Sequence, residues 1–372
     1  GVSGGARRTA AHLADCADVR VVVCRRDEVH AHIADADVAV PLMTRLDAAI
    51  IAAGTRLQLV LQFGVGLEGV DQDACSRQGV VLARIPSEQT GNAASTAEMA
   101  VYLLLAALRR HGQLAASLAS QTLGAPMGRQ LKGMRVLIVG WGNIAREVAV
   151  RLAPFGVRLS AVRRSRWDTY PSADDVTISS DSFGLDDGAG ANTLLDSRCQ
   201  PGATRPIRSG GGEDSASALL LGRGIASTDM VAMLGAADAV VLACNQTSEN
   251  RGMVDDDFLA AMVPGAVLIN VARGGLFDKD AIFRALESGR LGYLASDVAW
   301  VEPVDPNDPL VRHPNAYFTP HVGGVTDVSY DCMGAIVAEA AKNVLRGQAP
   351  GSDVTVVNHE AAAAARSAKT HP

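Results

Sequence analysis

The sequence is short of several things, and each shortage narrows what the chain can be. Its 372 residues carry a formal net charge of −6 with no basic stripe, so the electrostatic footprint of a nucleic-acid binder is missing. Six cysteines lie scattered at 16, 24, 75, 199, 244 and 332, with no C-x-x-C and no paired spacing. That usage argues against a zinc site and suits a reducing compartment. His30 and His32 form the one tight histidine pair, read as a solvated surface pair, and no metal site is expected. No apolar run approaches the roughly 18 residues of a membrane span. The chain opens on Gly1 instead of Met, so an incomplete N-terminus is expected; a cytoplasmic protein is the first reading, with organellar import left open. Asn245-Gln246-Thr247 fits a glycosylation sequon, but nothing indicates secretion and the match is read as coincidence.

What is present is an alternation of strands and helices. The length allows two or three domains. "VRVVVC" (19–24), "DVAVPL" (37–42), "LQLVLQFG" (57–64) and "GVVLARI" (79–85) read as continuous apolar strands, as in a parallel sheet covered on both faces. The first element, "RRTAAHLADC", is a helix with no strand before it, where a doubly wound unit would supply one; a lost first strand is expected. A long helix begins near Asn92, capped by Asn92 or by the box Ser95-x-x-Glu98. It is apolar on more than one face, which predicts burial at a domain or subunit contact. A second α/β unit opens with "RVLIVGWGNIAREVAVRLAPFGVRLSAVRRS" (135–165). From 166 to 227 the chain is rich in Gly, Ser and Asp without any period, and reads as a disordered, tolerated surface insertion. Alternation resumes from 237, and the tail from 351 lacks a hydrophobic stripe, which predicts a flexible end.

Two groups of residues carry chemistry. Gly140-Trp141-Gly142-Asn143-Ile144-Ala145 is a G-x-G-x-x-A fingerprint that follows a strand and opens a helix, the context of a dinucleotide site. Gly140 permits the sharp turn, Gly142 lets a pyrophosphate approach the backbone, and the helix N-terminus supplies N–H groups and positive dipole. At the end of the next strand stand Arg163, Arg164 and Ser165 instead of the carboxylate that would hold a ribose 2′-hydroxyl. Two guanidiniums suit a 2′-phosphate, so NADP(H) is favoured, with NAD(H) possible. The second group is Arg273, Glu302 and His321, each at the C-terminal end of a strand, the edge where open parallel sheets bind ligands. A guanidinium can grip a substrate carboxylate, an imidazole can exchange a proton near neutrality, and a carboxylate beside it can fix its tautomer and favour its protonated form. With a hydride from the nicotinamide, these are the parts needed to reduce a 2-keto acid.

At this point the sequence resembles the D-isomer-specific 2-hydroxyacid dehydrogenases, a family that includes phosphoglycerate dehydrogenases and glyoxylate/hydroxypyruvate reductases. The resemblance runs from about 37 to 350, interrupted by the insertion, and its carriers are "LQFGVGLEGVD", "GNAASTAEMA", "LIVGWGNIA", "LINVARGGLFD", "SDVAWVEPVDPNDPL" and "TPHVGG". It implies catalytic roles for Arg273, Glu302 and His321, and substrate-carboxylate binding by the backbone around Val65 and Gly66. It also implies that Asp297 and Gly323 lie near the nicotinamide carboxamide, that Ala272 and Arg273 line the cofactor cleft, and that Cys244, Asn245 and Thr247 lie near the adenosine. The turn "CNQTSEN" departs from the family's usual proline-containing turn and puts the adenine-side contacts in question. The combined expectation is an α/β protein of two Rossmann-like, doubly wound parallel-sheet domains. A flavodoxin-like substrate domain (1–91 and 322–350) would receive an inserted NAD(P)-binding domain (92–321, with the insertion 166–227), and 351–372 would form the flexible tail. Cleft closure would exclude water, the long helix would serve a homodimer, and the substrate would be a small 2-keto or 2-hydroxy acid. The alternative is a nucleotide-sensing, co-regulator-like binding protein.

Overall fold

Apolar runs covered on both faces dictate the larger sheet. The computed structural model describes residues 4–42, 44–87, 90–162 and 227–370, and its backbone divides into two compact units, Gly1–Asn92 with Val325–Pro372, and Ala93–Gly324. The first is assembled from both chain ends, the second from one continuous stretch.

In the first unit, helix α1 (Gly4–His12) is followed by short helical turns that include α2 (Val29–His32), strand β1 (Val38–Ala39), α3 (Ala48–Ala53), β2 (Leu59–Gln62), α4 (Gln72–Gln78) and β3 (Val81–Arg84). Asp47 and Asp71 cap α3 and α4 by accepting from the N–H groups of Ile50 and Ala74 at 3.0 and 2.8 Å, the expected chemistry at a helix start. β1, β2 and β3 pair in parallel. The run 19–24 does not form a strand: Val21, Val22 and Val23 are exposed and belong to no ladder among the described residues. Apolar β-branched residues make a strand only where a neighbour offers a ladder and a covered face.

The chain returns through α11 (Asp327–Leu345), capped by Thr326, whose hydroxyl accepts from Ser329 N–H. The segment from Gly351 corrects the expectation of a flexible tail. β10 (Thr355–Val356) pairs antiparallel with β3, and α12 (His359–Thr370) packs on α4. The side chain of Asn358 donates to Val80 O at 2.9 Å and accepts from Leu82 N at 2.8 Å, and Arg366 donates to Gly79 O at 2.6 Å. These bonds anchor the segment by satisfying edge groups of the sheet, so it needs no wide apolar stripe. Leu59, Leu61, Phe63 and Ile85 form one core with Tyr330, Met333, Val337 and Val354.

In the second unit, α5 (Asn92–Leu108) and α6 (His111–Ala119) lead to β4 (Arg135–Val139), α7 (Asn143–Leu152) and β5 (Arg158–Val162). The proposed insertion and Arg163, Arg164 and Ser165 lie outside the described residues. α8 (Ser227–Gly235), β6 (Ala239–Leu242), α9 (Asp256–Ala261), β7 (Ala266–Asn270), α10 (Lys279–Glu287), β8 (Leu291–Ser296) and β9 (Ala316–Phe318) follow. The six strands lie in the order β5-β4-β6-β7-β8-β9, all parallel. The order reverses at β4, so the crevice beside its C-terminal end is the switch point where such sheets hold ligands. The long α5 turns Ala97, Ala100, Leu103, Leu104 and Leu108 into this unit's own core. No described helix is long and apolar enough to cross a membrane.

Candidate active site

At the switch point, shape is made by what is left out. Gly140 has φ +105°, and a Cβ there would lie 2.7 Å from the Cys244 backbone, so two separate constraints demand glycine. Its N–H donates to Val162 O at 2.8 Å while Ala243 N–H donates to Val139 O at 2.9 Å, gathering the ends of β4, β5 and β6. Gly142 differs. It caps α7 in an extended conformation that any residue adopts, and a Cβ there would meet no atom of the described residues within 4 Å. Neither backbone strain nor packing requires a glycine at this position; the approach of something outside the chain would. Asn143 and Ile144 open α7, and Ala145 is fully buried against the sheet. A dinucleotide pyrophosphate fits this cradle: open space over Gly142, and a helix start whose cap residue carries no side chain.

Cys244, Asn245 and Thr247 follow β6. The Asn250 amide ties their loop, accepting from Thr247 N–H at 2.7 Å and donating to Asn245 O at 2.8 Å. Burial pushes the Cys244 thiol up to about 11, so it stays protonated and unreactive near neutrality. Gln246 lies against Gly275, where a Cβ would fall 2.4 Å from its Oε1.

The ends of β7, β8 and β9 carry the second group. Asn270, fully buried, closes β7; its amide accepts from Ala272 N–H at 3.0 Å and donates to Arg273 O at 2.9 Å. This side chain was not singled out from the sequence, though an Asn ending an apolar run is a legible signal of a buried polar clamp. Ala272 is buried, and Arg273 donates through Nη1 to its carbonyl at 2.7 Å. Gly274 has no room for a side chain: a Cβ would fall 2.0 Å from the Ala299 carbonyl. The backbone after Arg273 is thereby pressed onto the loop that carries Glu302.

Glu302 accepts from Ala299 N–H at 3.0 Å through Oε1 and meets His321 Nδ1 at 2.7 Å through Oε2. Burial pushes its carboxyl up, but the His321 bond and charge, the Ala299 N–H and the Arg273 charge together hold it below the usual carboxylate range. Arg273 and His321 are therefore each within electrostatic reach of Glu302. His321 sits at φ +54°, an uncommon conformation for a non-glycine residue. Its N–H donates to Asp297 O at 2.8 Å. Asp297, 2% exposed, accepts from the Thr319 hydroxyl at 2.6 Å, Val322 N–H at 2.9 Å and Gly323 N–H at 2.8 Å. Burial raises its carboxyl despite these donors and the nearby His321 charge. Asp297 and Gly323 thus hold the His321 turn together. Val65 and Gly66 follow β2 in the other unit, just past Gly64 at φ +127°.

Residues 101–184 and 217–323 match the family model of the D-isomer specific 2-hydroxyacid dehydrogenase, NAD binding domain. The chain belongs to this family. The second unit contains its NAD-binding domain. The chain is 32% identical to a D-3-phosphoglycerate dehydrogenase from Mycobacterium leprae over 365 residues, covering 96% of this chain and 59% of that protein. It therefore spans little more than half the length of that relative. Among solved structures it is similar to the TT0316 protein from Thermus thermophilus, with a TM-score of 0.69 at 24% identity over 95% of this chain and 97% of that one. It is also similar to an NADPH-dependent glyoxylate/hydroxypyruvate reductase from Sinorhizobium meliloti, with a TM-score of 0.66 at 24% identity over 94% of each chain. At those identities the structural likeness concerns the fold.

Proposed function

We propose that this member of the family interconverts a small 2-keto acid and a D-2-hydroxy acid with a nicotinamide dinucleotide. The observation that carries the reading is the His321 Nδ1 to Glu302 contact of 2.7 Å at the ligand-binding edge of a parallel sheet, with the Arg273 charge acting on the same carboxylate. With Nδ1 committed to Glu302, Nε2 has no protein partner among the described residues and is the nitrogen left to exchange a proton with the substrate oxygen. Arg273 supplies the fork for the substrate carboxylate, and the family resemblance assigns carboxylate binding to the backbone around Val65 and Gly66 as well. Gly140, Gly142, Asn143 and Ile144 would hold the pyrophosphate. Cys244, Asn245 and Thr247 lie on the adenosine side, and Ala272, Asp297 and Gly323 on the nicotinamide side. When bound, the dinucleotide supplies or accepts the hydride; the chain binds, orients and moves the proton.

Arg163, Arg164 and Ser165 make NADP(H) the preferred form in this reading; a homodimer is its expected assembly. The test is oxidation of NADPH and of NADH against a panel containing glyoxylate, hydroxypyruvate and the 2-keto form of 3-phosphoglycerate, the last added because of the relatives' name. Turnover of at least one acid, faster with NADPH at equal concentration, is expected; soluble protein that turns over none would overturn the enzymatic reading.

A further inference from the structure

Arg273, Glu302 and His321 leave their strands on three separate loops, and one side chain outside the trio reaches the flanks of all three. Trp300 lies two residues before Glu302. Its ring packs edge-on against Phe277, four residues after Arg273, at 6.2 Å and 63°, and against Phe318, three residues before His321, at 5.9 Å and 89°. These are the separations and angles of favourable edge-to-face contacts. The Lys279 ammonium stands 4.9 Å from the ring centre, a cation–π distance, and is fixed there by Asp308 at 2.5 Å. The Trp300 backbone packs closely on Gly274: its nitrogen lies 2.6 Å from where a Gly274 Cβ would be.

We infer that Trp300, clamped by Lys279 and Asp308, is a positioning residue that keeps the Glu302–His321 pair and the Arg273 strand end in register. An indole is rigid and wide enough to span three segments. Losing it leaves Ala299 N–H and His321 as the partners fixing the Glu302 carboxylate. A displacement of about 1 Å at that pair is the kind that costs up to ~100-fold in rate. The groups facing the Glu302 carboxyl are His321 from the turn after β9, Arg273 from the end of β7 and Ala299 N–H from its own loop. Asp297 at the end of β8 also feels the His321 charge and accepts its backbone N–H.

The inference rests on the catalytic reading above, and the experiment lets the two fail separately. Trp300→Ala, Trp300→Phe and Lys279→Met are compared with the native chain in keto-acid reduction and in carboxyl NMR titration of carbon-13-labelled Glu302. In Trp300→Ala, kcat should fall at least about 10-fold with the dinucleotide KM within about twofold. The Glu302 midpoint should rise toward the ordinary carboxylate value as its pairing loosens. Trp300→Phe should restore most of both, and Lys279→Met should give a smaller loss in the same direction. A Trp300→Ala enzyme with unchanged kcat and an unmoved Glu302 midpoint would overturn the inference. Should Trp300→Ala fail to fold, Trp300→Phe and Lys279→Met decide: native behaviour in both overturns it. If the native chain reduces no keto acid, the catalytic reading falls, and the Glu302 midpoints still decide this one.

Discussion

Two ends of the same sheet are built on opposite principles. Beside β4, the crevice is shaped by missing side chains: Gly140 yields to the Cys244 backbone, and Gly142 leaves open space over the start of α7. Beyond β7, β8 and β9, the edge is shaped by side chains that satisfy one another, with Asn270 bonded across the Arg273 turn, Asp297 across the His321 turn and Glu302 against His321. Among the described residues, the first end leaves room for something to enter it, whereas the second is already bonded within itself. In the proposed reading, pre-organisation of the reacting groups and room for a phosphate are thus separated by a few strands of one sheet.

That contrast can be broken in order of effect. His321→Asn should cut turnover by about 10²–10⁴-fold with little change in dinucleotide affinity; comparable loss of both, measured by steady-state kinetics and cofactor titration, would merge the two ends into one. Gly274→Ala should destabilise the fold by about 3 kcal/mol or more, because its Cβ would fall on the Ala299 carbonyl, and chemical denaturation would read this directly. Gly142→Ala is its counterpart: stability within about 0.5 kcal/mol of native, but dinucleotide Kd weakened at least about 10-fold; unaltered affinity would show that the space above it holds no ligand. Asn270→Ala should cost about 1–3 kcal/mol by leaving buried partners unpaired, and should raise the keto-acid KM more than the dinucleotide KM.

The smallest effect concerns acid. Because Glu302 is held below its usual range in the fold, its pairing stabilises the protein above the unfolded carboxylate pKa. That contribution is lost as pH falls through the lower folded value. Glu302→Gln should therefore flatten the acid side of the thermal-melting profile, and an unchanged slope there would count against the pair.

Legibility followed neighbours. β4, β6 and β7 were readable as unbroken apolar runs because sheet or helix covers every face, and the Gly-rich turn was readable because strand and helix bracket it. The run at 19–24 is just as rich in valine but has no ladder among the described residues, so Val21, Val22 and Val23 stay exposed. The tail misled for the converse reason: Asn358 and Arg366 hold it by hydrogen bonds to backbone, which no hydrophobic period reports. Arg273, Glu302 and His321 were legible as residue types at strand ends. Gly274 and Trp300 were not, because their importance lies in contacts between loops far apart in sequence.

The first unit's core joins Leu59, Phe63 and Ile85 to Tyr330, Met333 and Val354. During synthesis on the ribosome, the opening ninety residues must therefore wait, apolar surface unsatisfied, while the whole continuous second unit emerges and has the opportunity to fold. Any nonsense codon before the return helix would strand that early segment, whereas residues 93–324 would keep their own sheet.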